Sequence, residues 1–153
     1  MRDLLVRQIQ PQDAPLAKQL ILAGLQERWG ILDHTRNRDL DDIVSNYEDG
    51  LFLVAFSGSD LIGTGAIIRE GEYTGRIVRM WVDQSNRRKG VGTAILEHLL
   101  REAHELGYEQ VVLETEPDWI DAVAFYNRRG FQPVGVIKGN LHFEMSLEES
   151  HLE

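Results

Sequence analysis

Ile77-Val78-Arg79-Met80-Trp81-Val82-Asp83-Gln84-Ser85-Asn86-Arg87-Arg88-Lys89-Gly90-Val91-Gly92-Thr93 is the stretch from which the rest of the chain can be placed. Ile77 to Val82 has the apolar, β-branched composition of a strand, and Asp83 to Asn86 are turn formers. From there Val91, Ile95, Leu96, Leu99, Leu100, Ala103 and Leu106 recur at intervals of about 3.6 residues, which predicts an amphipathic helix. A helix start leaves its first N–H groups without intrahelical partners and carries partial positive charge. Gly90 and Gly92 let an anion approach that backbone, and Arg87, Arg88 and Lys89 add full charges beside it. The stretch therefore predicts a strand, a turn and a phosphate-binding loop that opens into a helix.

The loop is not a P-loop, because G-x-x-x-x-G-K-[ST] is absent. A dinucleotide fingerprint would need a third glycine where Ile95 stands. The spacing Arg87-x-x-Gly90-x-Gly92 instead resembles the [Q/R]-x-x-G-x-[G/A] loop of the GNAT superfamily of acyl-CoA N-acyltransferases. Further on, Ala124-Phe125-Tyr126-Asn127-Arg128-Arg129-Gly130-Phe131 resembles that family's second motif. The resemblance implies an α/β fold with a mixed sheet: antiparallel strands one to four, splayed from a parallel fifth strand, with flanking helices. It implies acetyl-CoA as co-substrate, with its pantetheine along the open backbone edge of the fourth strand at Met80, Trp81 and Val82. The pyrophosphate would then fall on Arg87, Arg88, Lys89, Gly90, Val91, Gly92 and Thr93.

The same resemblance makes Tyr126 a general acid for the departing thiolate and Glu114 a base for the acceptor amine. A thiolate near pKa 8.5 takes a proton readily from a phenol near pKa 10 only when the two are held in contact. An amine is mostly protonated at neutral pH, so a base or water relay is required, and Glu116 competes with Glu114 for that role. Trp119 stands where many relatives carry an asparagine that contacts the cofactor. The implied reaction is direct transfer of acetyl to a primary amine, of a small molecule or a peptide, in a ternary complex. A non-catalytic acyl-CoA-binding module on the same fold is the alternative.

Read in order, the chain predicts a strand at Leu4–Ile9, a helix from about Gln12 to Trp29 carrying Leu16, Leu20, Ile21 and Leu25, and a polar connection to Arg38. A short helix follows at Asp39–Tyr47. Strands at Leu51–Phe56, Leu61–Arg69 and Tyr73–Val82 form an antiparallel meander. Gln110–Thr115 is a buried strand, parallel to the fourth after the helical crossover. A helix at Trp119–Arg129 and a hairpin of Phe131–Val136 with Leu141–Leu147 complete one domain over 1–149. Residues 150–153 are read as a tail without functional weight.

Composition narrows the function classes. The net charge of −9 argues against nucleic acid as a partner. Without cysteine, an acyl-cysteine intermediate and disulfides are excluded. No apolar run approaches the ~18 residues of a membrane span, and no signal-peptide pattern follows Met1, so a cytoplasmic location is expected. The histidines lack ligand spacing, so no metal is expected. A homodimer is compatible with the chain. Asp33, Asp39, Asp41, Asp42, Glu114, Glu116, Asp118 and Asp121, against Arg36 and Arg38, predict an acidic rim that favours a cationic acceptor. Acetyl-CoA is expected to raise the melting temperature, and Gly92→Glu, which puts bulk and negative charge in the loop, to abolish that shift. A folded Gly92→Glu protein with an unchanged shift in differential scanning fluorimetry overturns the loop assignment.

Overall fold

The computed structural model describes residues 3–30 and 33–147; the proposed tail at 150–153 lies outside the described residues. The strands are β1 (Leu4–Gln8), β2 (Leu51–Ser57), β3 (Asp60–Arg69), β4 (Thr74–Val82), β5 (Gln110–Thr115), β6 (Gln132–Ile137) and β7 (Asn140–Ser146). The helices are α1 (Ala14–Trp29), α2 (Ile43–Asn46), α3 (Val91–Glu105) and α4 (Ile120–Arg128). One mixed sheet of seven strands runs in the order β1-β2-β3-β4-β5-β7-β6. The predicted parallel β4–β5 pairing is present, but it extends only over Thr74–Arg76 opposite Gln110–Val112. The final hairpin inserts its second strand: β7, not β6, pairs with β5, antiparallel from Gln110↔Ser146 to Thr115↔Leu141.

The chain divides into two compact units, Met1–Ile68 with Val78–Leu99, and Arg69–Ile77 with Leu100–Glu153. In the first unit, β1 and β2 pair antiparallel from Leu4↔Ser57 to Gln8↔Leu53, and β2 pairs with β3 through the tight turn at Gly58-Ser59. Ala17, Ile21 and Leu25 of α1 pack with Ile43, Phe52 and Val54 into one apolar cluster, joined by Trp81 and Val78 of β4. Leu16 faces solvent at 45% exposure, because the buried stripe of α1 runs through Ala17, one residue on. The segment expected as a helix from Asp39 is a 3-10 turn over Arg38–Asp42, followed by the single turn of α2.

On the opposite face of that unit, α3 lies close against β3. A Cβ at Gly65 would sit 2.6 Å from Ile95 Cγ2 and 2.5 Å from Met80 Sδ, so only glycine allows this approach. Val91, Ile95, Leu96, Leu99 and Ala103 form the buried stripe as predicted. Leu106 does not, being 51% exposed beyond the helix end. There Gly107, at φ 87°, bonds through its N–H to His104, and Tyr108 to Ala103, so the carbonyls of the last turn are satisfied.

In the second unit β5 is buried on one face only. Val111, Leu113 and Thr115 point into a core with Phe131, Phe143 and Met145, while Glu114 is exposed. The strand expected to be buried is thus buried on alternate residues. The β6–β7 hairpin closes through Lys138-Gly139, both left-handed (φ 51° and 85°), the geometry that matches strand twist in two-residue loops. Gly65→Ala is expected to destabilise the fold by about 1–3 kcal/mol, the usual range for overpacking. Urea denaturation measures it, and a stability equal to wild type means α3 can retreat without loss.

Candidate active site

The first group of expected site residues lies in the first unit. Arg79 interrupts β4 with a left-handed backbone, φ 57°, which costs a non-glycine residue roughly 1–3 kcal/mol. Its surroundings hold it there. Arg79 Nη2 and Nε donate to Asp39 at 2.7 and 3.1 Å, Nη1 donates to Asn37 at 3.0 Å, and the Thr64 hydroxyl donates to the Arg79 carbonyl at 2.8 Å. Tyr47 donates a further hydrogen bond to Asp39. Burial disfavours the ionised Asp39 carboxylate, but the bonds from Arg79 and Tyr47 outweigh it and hold the carboxyl below its ordinary value. The Tyr47 phenol moves the other way, pushed well up by burial and by the anion beside it.

The two residues after Arg79 have their side chains engaged in packing. Met80 reaches toward Gly65 beneath α3, and Trp81 lies against Gly24 of α1, where a Cβ would come within 2.6 Å of the ring. At Met80 and Trp81 the side chains are thus committed to packing, and the backbone is what remains for a ligand. Beyond β4 a 3-10 turn, Gln84–Asn86, leads into the basic loop. There the Arg87 side chain is engaged within the protein: its Nη2 donates to Glu27 at 2.8 Å and its Nε to the Val82 carbonyl at 3.1 Å. It ties the loop to α1 and to the end of β4. Arg88 and Lys89 are exposed and make no ion pair among the described residues. Arg88 (φ 63°) and Gly90 (φ 86°) turn the backbone into α3, and a Cβ at Gly90 would meet nothing within 4 Å. That is an open, curled backbone beside a helix start, with two unengaged cations. It fits a pyrophosphate.

The second group lies in the second unit. Tyr126 of α4 is buried at 8% exposure, with its ring edge-on to Phe125 and Phe131 at 5.2 and 5.7 Å and tilted against Phe143 at 5.9 Å. Burial alone pushes its phenol well above the ordinary tyrosine value. Glu114 of β5 lies opposite His142 of β7, and its Oε2 is 3.0 Å from His142 Nε2. Glu116 and Trp119 follow before α4. His142 escaped the sequence reading, because only the β5–β7 register sets it beside Glu114. Arg79 left a signal that went unused, an arginine inside an apolar strand. The acidic rim is also reduced, since Asp39 serves Arg79 and Asp41 pairs with Lys18 at 2.9 Å.

The sequence profile of the Acetyltransferase (GNAT) family matches residues 18–131, and the chain belongs to that family. Over 112 residues it is 29% identical to human N-acetyltransferase 8, covering 68% of this chain and 49% of the relative. It is 36% identical over 83 residues to the uncharacterized N-acetyltransferase YsnE of Bacillus subtilis (strain 168), covering 53% and 55%. The chain thus spans about half the length of these curated relatives. Among solved structures, a GNAT-family acetyltransferase from Staphylococcus aureus Mu50 superposes with a TM-score of 0.86 at 21% identity, over 95% of this chain and 100% of the other. The PaiA N-acetyltransferase of Thermoplasma acidophilum, in complex with coenzyme A, gives 0.82 at 16% identity, over 94% and 99%. Family membership makes this an acyl-CoA-dependent acyltransferase fold with acetyl-CoA as the family's co-substrate. No cluster of metal-ligating residues occurs among the described residues, and no described helix is long and apolar enough to cross a membrane.

Asp39→Asn strands the Arg79 guanidinium and is expected to cost about 3 kcal/mol, the low end for a buried pair because both groups are partly exposed. A carboxyl lowered in the folded state stabilises above about pH 4 and loses that contribution as pH falls through its folded-state pKa. The variant should therefore show a shallower acid limb in thermal melts taken across pH 2–6. An acid limb identical to wild type means Asp39 adds nothing to stability.

Proposed function

We propose that residues 1–149 act as one N-acetyltransferase domain, transferring acetyl from acetyl-CoA directly to a primary amine of a small molecule or peptide. One observation carries the reading. β4 pairs with β5 only as far as Arg76, and its remaining edge runs straight into the curled Arg87–Thr93 loop at the start of α3. An unpaired strand edge presents N–H and C=O groups in a row, which suits an amide-containing pantetheine arm. Backbone N–H groups of Gly90 to Thr93, with Arg88 and Lys89, would hold the pyrophosphate. When bound, the thioester supplies an activated acetyl carbon.

The chain's own groups then have defined tasks. A backbone N–H of Met80–Val82 donates to the oxygen on which charge develops, and acts strongly where water is excluded. Glu114 accepts the proton that the amine must lose as its nitrogen bonds to the acetyl carbon. As the carbon–sulfur bond breaks, Tyr126 donates its proton to the departing sulfur. Burial keeps the phenol protonated throughout the working pH range, so it acts as a donor and not as a base. A donor this weak yields its proton only to a sulfur held equally dry, which makes contact between them a requirement.

Tyr126→Phe keeps the ring that Phe131 and Phe143 pack against, so the fold should persist. Its kcat is expected to fall by about 10²-fold or more, with acetyl-CoA affinity little changed. Steady-state kinetics on the best acceptor of an amine and peptide panel, beside calorimetric titration of acetyl-CoA, provide the check. Wild-type kcat in this variant, with chemistry rate-limiting, reduces Tyr126 to core packing.

A further inference from the structure

Strict alternation along β4 would send Val78 and Met80 to one face and Arg79 and Trp81 to the other. Instead Val78 and Trp81 both pack on the cluster around α1, while Met80 reaches Gly65, where Ile95 of α3 also converges. Residues three apart thus share a face. β4 therefore carries one extra residue, and Arg79, with its φ of 57°, is where the alternation breaks. An extra residue shifts the phase of all that follows it: side chains change faces, and backbone N–H and C=O groups change edges. Which groups of Met80, Trp81 and Val82 look out from the open edge of β4 is decided at residue 79.

An arginine does not favour that backbone by itself; its partners do. Asp39 accepts from Nη2 and Nε at 2.7 and 3.1 Å, and Asn37 accepts from Nη1 at 3.0 Å. Asn37 is buried and anchored in turn, since its Nδ2 donates to the Asp33 carbonyl at 2.7 Å. Tyr47 donates to Asp39, and the buried Thr64 hydroxyl donates to the Arg79 carbonyl. The Arg79 and Asp39 side chains are 15% and 28% exposed, so water competes poorly for the pair. All these residues belong to the first unit. Asn37, Asp39 and Tyr47 come from the connection between α1 and β2, outside both β4 and the basic loop.

We propose that Asp39, with Asn37 and Tyr47, is a positioning residue for acetyl-CoA: it holds Arg79 left-handed, and so presents the backbone of Met80, Trp81 and Val82 in the phase that the pantetheine requires. This rests on the reading above that the β4 backbone receives the pantetheine, and adds to it a segment distant in sequence. Without the clamp, residue 79 relaxes to an extended conformation in a fraction of molecules. Apparent affinity then falls in proportion to the fraction left competent. A ligand that selects the left-handed state tightens the clamp in turn, because coupling between two sites is reciprocal.

Two double variants test this, each removing the ion pair as a unit so that no charge is stranded. They differ by one methyl group at residue 79. In Asp39→Asn/Arg79→Ala the left-handed backbone is left without support, whereas in Asp39→Asn/Arg79→Gly the glycine adopts positive φ without penalty. Calorimetric titration with acetyl-CoA should give a Kd weakened by about fivefold or more in the alanine variant, and within about twofold of wild type in the glycine variant. A clamp that serves stability alone leaves the two variants binding alike, and equal Kd values overturn the proposal. If the alanine variant fails to fold, Tyr47→Phe, which keeps the ring and the ion pair but loses one bond to Asp39, should weaken binding by about threefold. An unchanged Kd in folded Tyr47→Phe overturns the proposal equally. Amide NMR of wild type separates a failure of the underlying reading: acetyl-CoA should move the Met80, Trp81 and Val82 N–H resonances. Resonances that stay fixed at saturating acetyl-CoA mean that β4 does not receive it, and the reading and the proposal fall together.

Discussion

Arg79 is held in a left-handed conformation in the middle of a strand, and the pairing of its guanidinium with Asp39 is what keeps it there. A partly buried cation needs a matched anion, and here the anion comes from the turn that precedes α2. One contact thereby fixes two things, the course of β4 and the position of the segment between α1 and β2. Tyr47 and Asn37 complete the set of partners from that same segment, and Thr64 secures the Arg79 carbonyl from β3. After Arg79 the side chains of consecutive residues part, with Met80 toward α3 and Trp81 toward α1. Packing absorbs both side chains.

The same division between backbone and side chain recurs in the loop that follows. Arg87 looks like a phosphate ligand in the sequence, yet its guanidinium braces Glu27 and Val82. The left-handed Arg88 and Gly90 turn the backbone into a helix start, whose first N–H groups have no intrahelical partner. Backbone recognition tolerates side-chain change but not a change of loop geometry. Charged residues inside such a motif can therefore serve the scaffold as readily as the ligand.

In the second unit the chemistry is set by which face of β5 a residue occupies. Alternation sends Val111, Leu113 and Thr115 into the core and leaves Val112 and Glu114 on the outer face. Tyr126 lies among core aromatics, where burial keeps its phenol neutral. Glu114 is exposed on the outer face beside His142.

Much of this was legible in the sequence, because local physics determines it. The period of Val91 to Ala103 could only be a one-sided helix, and the apolar run Ile77–Val82 could only be a strand. The turn formers and glycines between them set the loop, and its resemblance to a family motif named the cofactor. What the tertiary structure decided were the partnerships between residues distant in the chain: Arg79 with Asp39, Arg87 with Glu27, Glu114 with His142, and the insertion of β7 beside β5. Each depends on the register of strands or the docking of a helix, and no local pattern encodes register. A carboxylate or guanidinium looks the same in sequence whether it faces solvent, a substrate or a buried partner. Only packing supplies the desolvation and the neighbour that make the difference.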